Sequence, residues 1–245
     1  MVLGYVDVAC TALGAGLYEK GVDTGCSIVG STGMHMRFAQ TADDVWLNKD
    51  LTGYTMCLPI PGAYTQMQSN MAATLNIDWI ISVAGGLLKG MGIEKSKSEL
   101  LGQIDIWLAE ARGAPVLFHP YISEAGERGP FVDASARASF VGLDINHGFG
   151  DLVRAVLDGL ALSARDCYTE MGPLPPRVRL TGGAARSASL RSILGGALNC
   201  EIQTSEREEA GAAGAAMIAA VSLGIYDDMV IDIDPNKTVV IGSSV

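Results

Sequence analysis

The chain has 245 residues, 49% of them hydrophobic and 18% charged, which is enough apolar material for one large domain with a real core. That composition excludes disorder over most of the length. A formal charge of −10, from 17 Lys and Arg against 27 Asp and Glu with no basic cluster, argues against a nucleic-acid groove or an anionic membrane surface as partner.

The first residues show no basic stretch ahead of an apolar core, so no secretory signal is read there. Gly4 and Asp7 precede a small-residue helix predicted over 9–17. A lone Asp at a helix start is commonly an N-cap. Residues 23–33, DTGCSIVGSTG, read as a strand ending in a loop of small residues, Gly30, Ser31, Thr32 and Gly33, before a second strand at 34–38. Such a loop is either an ordinary hairpin turn or a phosphate cradle, because glycines permit close approach and hydroxyls donate to anions. Two β-prone runs in 54–70, broken at Pro59-Ile60-Pro61-Gly62, predict antiparallel strands. Ile77, Ile80, Ile81 and Ala84 share one face of a helix predicted over 75–88.

Residues 89–99 read as an exposed loop, and 100–112 as a helix facing solvent or a second subunit. A short strand at 116–118 leads to His119-Pro120-Tyr121 and then Gly126-Glu127-Arg128-Gly129-Pro130-Phe131. The Glu127–Arg128 pair predicts a salt bridge that pins a loop. His119 reads as a hydrogen-bonded loop or core residue, since the three histidines lie far apart without ligand spacing. The clearest amphipathic pattern, Val153, Val156, Leu157, Leu160, Ala164 and Cys167, predicts a helix over 150–171.

The stretch 177–228 carries the strongest signal. A strand at 177–180 runs into Gly182 and Gly183, and a helix opens near Ser187 with Leu190, Ile193, Leu194 and Ala197 on one side. Strand, glycine turn and helix N-terminus make either a tight connection or a place where an anion or nucleotide sits on backbone N–H groups. A strand at 202–205 follows. Ser205 with Glu208 predicts a capping box for the next helix, and Gly224 its end. The all Ala and Gly run 210–216 predicts close backbone packing, expected to be against the sheet. Residues 210–226 are uncharged but too weakly apolar to span a bilayer. The five cysteines, Cys10, Cys26, Cys57, Cys167 and Cys200, show no C-x-x-C spacing and read as reduced thiols of a cytoplasmic protein.

These pieces, taken as an ordered set, resemble the carboxy-terminal half of the FGGY family of carbohydrate kinases: G-x-x-D at the start, the Gly30-Ser31-Thr32-Gly33 loop, H-P-Y…G-E-R-x-P, R-A-V-L-D-G at 154–159, and G-G-A-x-x-S at 182–187. The resemblance implies an α/β domain of the actin-like (ribonuclease H-like) ATPase fold, with a mixed sheet flanked by helices. It spans residues 1–230, with 231–245 a tail or edge strand and the amino-terminal sugar-binding domain absent, so that the isolated chain would be inactive. It implies ATP or ADP with Mg²⁺ and a sugar or polyol substrate, and leaves room for a homodimer. By the same resemblance, Asp7 takes the proton from the substrate hydroxyl. Gly30, Ser31 and Thr32 hold phosphate, Thr74 and Asp78 lie near the nucleotide, and Gly182, Gly183, Ala184 and Ser187 receive the purine. Similarity across 30–37 and 66–79 points to an erythritol-kinase-like branch, with L-xylulose kinases next. Two alternatives stay open: a non-catalytic nucleotide-binding or dimerisation module, and an actin-like ATPase with no sugar substrate.

Overall fold

A computed structural model describes residues 4–18, 23–204, 209–227, 229 and 239–241. Its centre is a seven-stranded mixed sheet in the order β3-β4-β2-β1-β7-β8-β9. The strands are β1 (Thr24–Val29), β2 (Gly33–Ala39), β3 (Tyr54–Cys57), β4 (Tyr64–Asn70), β7 (Arg177–Thr181), β8 (Glu201–Thr204) and β9 (Val239–Ile241). From β3 to β1 the neighbours are antiparallel, as the turn residues between them predict. β1, β7 and β8 are mutually parallel, and β9 closes the edge antiparallel to β8. β5 (Leu117–His119) pairs with β6 (Ser139–Val141) in a separate ribbon.

Each strand sorts its side chains by alternation. Ser27 and Val29 of β1 face one layer and Cys26 the other. The first layer holds α2 (Thr74–Gly90), α5 (Phe149–Thr169) and α6 (Ala188–Leu198), whose Ile80, Val156, Leu160, Leu190 and Leu194 join Val178, Leu180 and Ile202 in the main core. The second layer is α1 (Asp7–Ala15) and α7 (Ala210–Ser222). Here the small-residue run packs on another helix rather than on the sheet. A methyl group on Gly14 would overlap the Ala210 carbonyl, and one on Gly214 would overlap the Cys10 carbonyl, so the two backbones touch. The pairing of Cys10 with Gly214 and Gly14 with Ala210 makes the helices antiparallel.

Two further expectations change. The helix expected over 100–112 is split into α3 (Lys97–Leu101) and α4 (Ile104–Glu110). Ser96 and Glu99 form a capping box that starts the first piece early, and Gly102, a poor helix former, sits at the break. Glu127 makes no ion pair with Arg128: its Oε1 accepts the backbone N–H of Met71 and of Arg128, both at 2.9 Å, while Arg128 faces solvent. His119 holds the Ser139 hydroxyl at 2.8 Å, tying β5 to β6. Gly224 follows α7 with φ of 69°, as expected of a glycine ending a helix. The expected Ser205–Glu208 capping box lies outside the described residues.

The seam between α1 and α7 leaves no room for a side chain. Gly214→Ala is expected to destabilise the domain by roughly 2 kcal/mol, since the two backbones must separate. A denaturant midpoint equal to that of the unaltered chain would show that the seam is looser than described.

Candidate functional site

The two small-residue bends meet at one end of the sheet. β1 and β7 run parallel with Ile28 opposite Thr181, so the loop after β1 and the glycine pair after β7 emerge side by side. Gly182 lies against β1: a Cβ there would stand 2.7 Å from the Val29 carbonyl oxygen, and its φ is 90°. Its lack of a side chain therefore serves the contact between the bends. Gly183 faces open space, with nothing within 4 Å of an added Cβ. A 3₁₀ turn, Gly183–Arg186, follows it, and the Ser187 hydroxyl then caps α6 by accepting the Leu190 N–H at 3.2 Å.

The first bend is held from behind by α2. Ala73 N–H donates to the Ser31 carbonyl at 2.8 Å, and Thr74 N–H to the Gly30 carbonyl at 2.9 Å. Gly30 N–H donates to the Thr32 carbonyl at 3.0 Å. The carbonyls of the bend are thus spent inside the protein. The amides of Ser31, Thr32, Gly183 and Ala184 have no hydrogen-bond partner among the described residues. The 30–32 bend lies at the N-terminal end of the 17-residue α2, whose dipole favours negative charge nearby. Backbone donors in a side-chain-poor concavity suit phosphate.

Of the residues singled out from sequence, the structure gathers Gly30, Ser31, Thr32, Gly182, Gly183, Ala184 and the Thr74 backbone at this end, with Ser187 just beyond. Asp78 sits one turn along α2 from Thr74, while Asp7 stands apart. Asp78 forms a 2.8 Å ion pair with Lys97, joining α2 to α3. Asp7 is exposed in the first turn of α1, and its Oδ1 accepts the Val8 N–H at 2.8 Å. The cap position belongs to Val6. The nearby Tyr5 hydroxyl binds the Cys57 carbonyl, and Cys57 pairs with Tyr64 at the end of β4 remote from the bends.

Beneath the first bend lies a buried polar chain that sequence reading missed. Ser27 Oγ is 2.9 Å from both the Tyr168 hydroxyl and His35 Nδ1, and His35 Nε2 is 3.0 Å from Asn70 Oδ1. Asn70 Nδ2 donates to the Gly129 carbonyl at 3.4 Å. Because Asn70 turns its oxygen to His35, Nε2 must carry the imidazole proton, Nδ1 accepts from Ser27, and Ser27 accepts from Tyr168. Burial drives the His35 pKa down to about 4, against a smaller upward pull from Asn70. The available signal was polar residues at inward positions of otherwise apolar strands, Ser27 within C-S-I-V and His35 within M-H-M.

Residues 25–223 match the model of the C-terminal domain of the FGGY family of carbohydrate kinases. This chain belongs to that family. The FGGY domain is 54% identical over 227 residues to an erythritol kinase of Brucella abortus, covering 93% of this chain and 44% of that protein. It is 30% identical over 230 residues to a xylulose kinase of Lactococcus lactis, covering 92% and 42%. Among solved structures it superposes on a xylulose kinase from Rhodospirillum rubrum with a TM-score of 0.77 and 25% identity, over 98% of this chain and 46% of that one. The fold is the actin-like ATPase arrangement of helices flanking a mixed sheet. The FGGY domain spans less than half the length of the curated relatives it matches. Among its described residues no helix is long and apolar enough to cross a membrane.

The neutral, buried His35 has a measurable consequence. The unfolded histidine titrates near 6.5 and the folded one near 4, so the unfolded state binds the extra proton between these values. Stability from this group is complete above about pH 6.5 and is lost as pH falls toward about 4, by roughly 3 kcal/mol in all. Urea unfolding at pH 7 and pH 5 should show a steeper loss in the unaltered chain than in His35→Gln. Parallel slopes would contradict the burial described.

Proposed function

We propose that this domain is the nucleotide-binding half of an ATP-dependent polyol or ketose kinase, with an erythritol-type polyol as acceptor. The observation that carries this reading is the pair of adjacent bends presenting unpartnered amides of Ser31, Thr32, Gly183 and Ala184. In it, Ser31 and Thr32 bind the phosphates through amides and hydroxyls, and Gly183 and Ala184 approach the nucleotide with bare backbone. Ser187 and the first half of α6 border the purine. The nucleotide supplies the transferable phosphoryl group; the chain binds and orients it, and such positioning does most of the work in phosphoryl transfer. By the family resemblance Mg²⁺ would accompany the nucleotide and neutralise charge between its phosphates.

Asp7 is assigned the acceptor role for the hydroxyl proton on the family resemblance alone; its carboxylate is exposed, and the structure sets it at the end of the sheet away from the bends. The polyol preference rests on the 54% identity to an erythritol kinase. Thr74 supports the Gly30 carbonyl through its N–H, and its place beside the bend suits a position near the nucleotide.

Gly183→Val should weaken ADP binding by about tenfold or more in calorimetry, because a branched side chain fills the open space beside the bend, while the melting temperature stays within a few degrees. Gly182→Ala, by contrast, should lower stability outright, through positive φ and overlap with Val29. An unchanged ADP affinity in Gly183→Val would remove the bare-backbone argument. In an enzyme that joins this domain to the other half of the family's length, Asp7→Asn should reduce kcat by roughly 10²–10⁴ with ADP affinity unchanged. Retained turnover there would take Asp7 out of the mechanism, and a panel of polyols and ketoses tried on the same protein would fix the acceptor.

A further inference from the structure

The bend formed by residues 30–32 is exposed, yet what fixes its shape is buried beneath it. Ser27 and His35 stand on the two strands that the bend joins, and Asn70 is the register partner of Gly33, where the second strand begins. A Cβ on Gly33 would lie 3.1 Å from His35 Nε2 and 3.2 Å from Asn70 Oδ1, so the end of the bend rests on that hydrogen bond. Asn70 is followed by Met71, held by Glu127, and then by Ala73 and Thr74, which hold the bend's carbonyls. Glu127 is 1% exposed, and its raised pKa comes chiefly from burial. Its loop is clamped in turn: Gly129 lies so close to β4 that an added Cβ would stand 2.7 Å from the Ser69 carbonyl oxygen.

We propose that His35 is a positioning residue for phosphate binding: with Ser27 on one side and Asn70 on the other, it fixes the bend so that the Ser31 and Thr32 amides converge on the phosphates of a bound nucleotide. This inference rests on the nucleotide reading of the bends. His35 touches no ligand itself; it acts through Asn70 and Gly33. The arrangement separates two tasks. The first bend, with His35 beneath it, serves the phosphates distal to the nucleoside, while the bend at 182–184 makes no hydrogen bond to His35 or Asn70 among the described residues and serves the nucleoside end. A defect at His35 must therefore scale with the number of phosphates on the ligand. Loss of general structural integrity would not.

The test uses calorimetry of the 245-residue chain with ADP and with AMP. In His35→Leu, which cannot hydrogen-bond to either neighbour, ADP affinity should fall tenfold or more while AMP affinity stays within twofold. His35→Gln can still donate an N–H toward Asn70 and should recover ADP affinity to within about threefold of the unaltered chain. Ser27→Ala, a smaller change that removes one link, should give an intermediate loss for ADP alone, and it carries the test if His35→Leu does not fold. If the unaltered chain binds ADP but these variants bind it equally well, or lose ADP and AMP together, the positioning role is overturned and the nucleotide reading survives. If the unaltered chain binds neither nucleotide, the nucleotide reading falls and this inference with it.

Discussion

Everything at the candidate site depends on the parallel pairing of β1 with β7. Parallel strands lie inside a sheet with both faces covered, and their ends emerge on the same side. Once Ile28 is opposite Thr181, Val29 and Gly182 are neighbours, and two bends far apart in sequence become one surface. A shift of one residue would turn Ser27 away from Tyr168 and Cys26 into the main core, so burial on both faces fixes the register. Gly182 secures the same pairing from the other side, because its φ of 90° and its approach to Val29 exclude any side chain.

The two helical layers are built on different physical grounds. α5 and α6 bury large aliphatic side chains against the sheet, where area removed from water supplies the stability. α1 and α7 have little such area to offer and gain instead from backbone contact at Gly14 and Gly214. Such a seam tolerates almost no added volume. It also fixes where Asp7 lies: antiparallel to α7, α1 starts away from the end at which α7 begins, and its first turn lies toward the β3–β4 turn.

Much of this was legible in the sequence because periodicity reports burial. The strands around 24–39, 54–70 and 177–181 and the helices α2, α5 and α6 appear where alternation or 3.6-residue spacing places them. Both small-residue bends after strands were legible too, although the residues alone fit an ordinary turn as well as an anion site. What escaped was pairwise and tertiary. A capping box at Ser96 and one glycine split a helix whose apolar spacing looked continuous. The short strand at Ser139–Val141 exists only because β5 lies beside it. Glu127 beside Arg128 suggests an ion pair from sequence adjacency, but burial of the carboxylate under backbone donors decided otherwise. The polar chain through His35 could be suspected strand by strand, yet its partners come from four separate elements.

The chemical character of the bends follows first from a count of backbone hydrogen bonds. Every residue of the bend brings one donor and one acceptor. The acceptors of Gly30, Ser31 and Thr32 are consumed by Thr74, Ala73 and Gly30, whereas the donors of Ser31 and Thr32 are left over. The neighbouring turn shows the same imbalance: Gly182 and Ala184 give their carbonyls to Ala185 and Ser187, and the amides of Gly183 and Ala184 remain. Surplus N–H groups carry positive potential, to which Arg186 of the same turn and Arg191, which binds the Ala185 carbonyl, add their charge, so a chain with a formal charge of −10 can still receive an anion at one chosen place. That surplus persists only if the bend cannot rearrange to satisfy itself, which makes the rigid, buried polar network beneath it part of the electrostatics of the site.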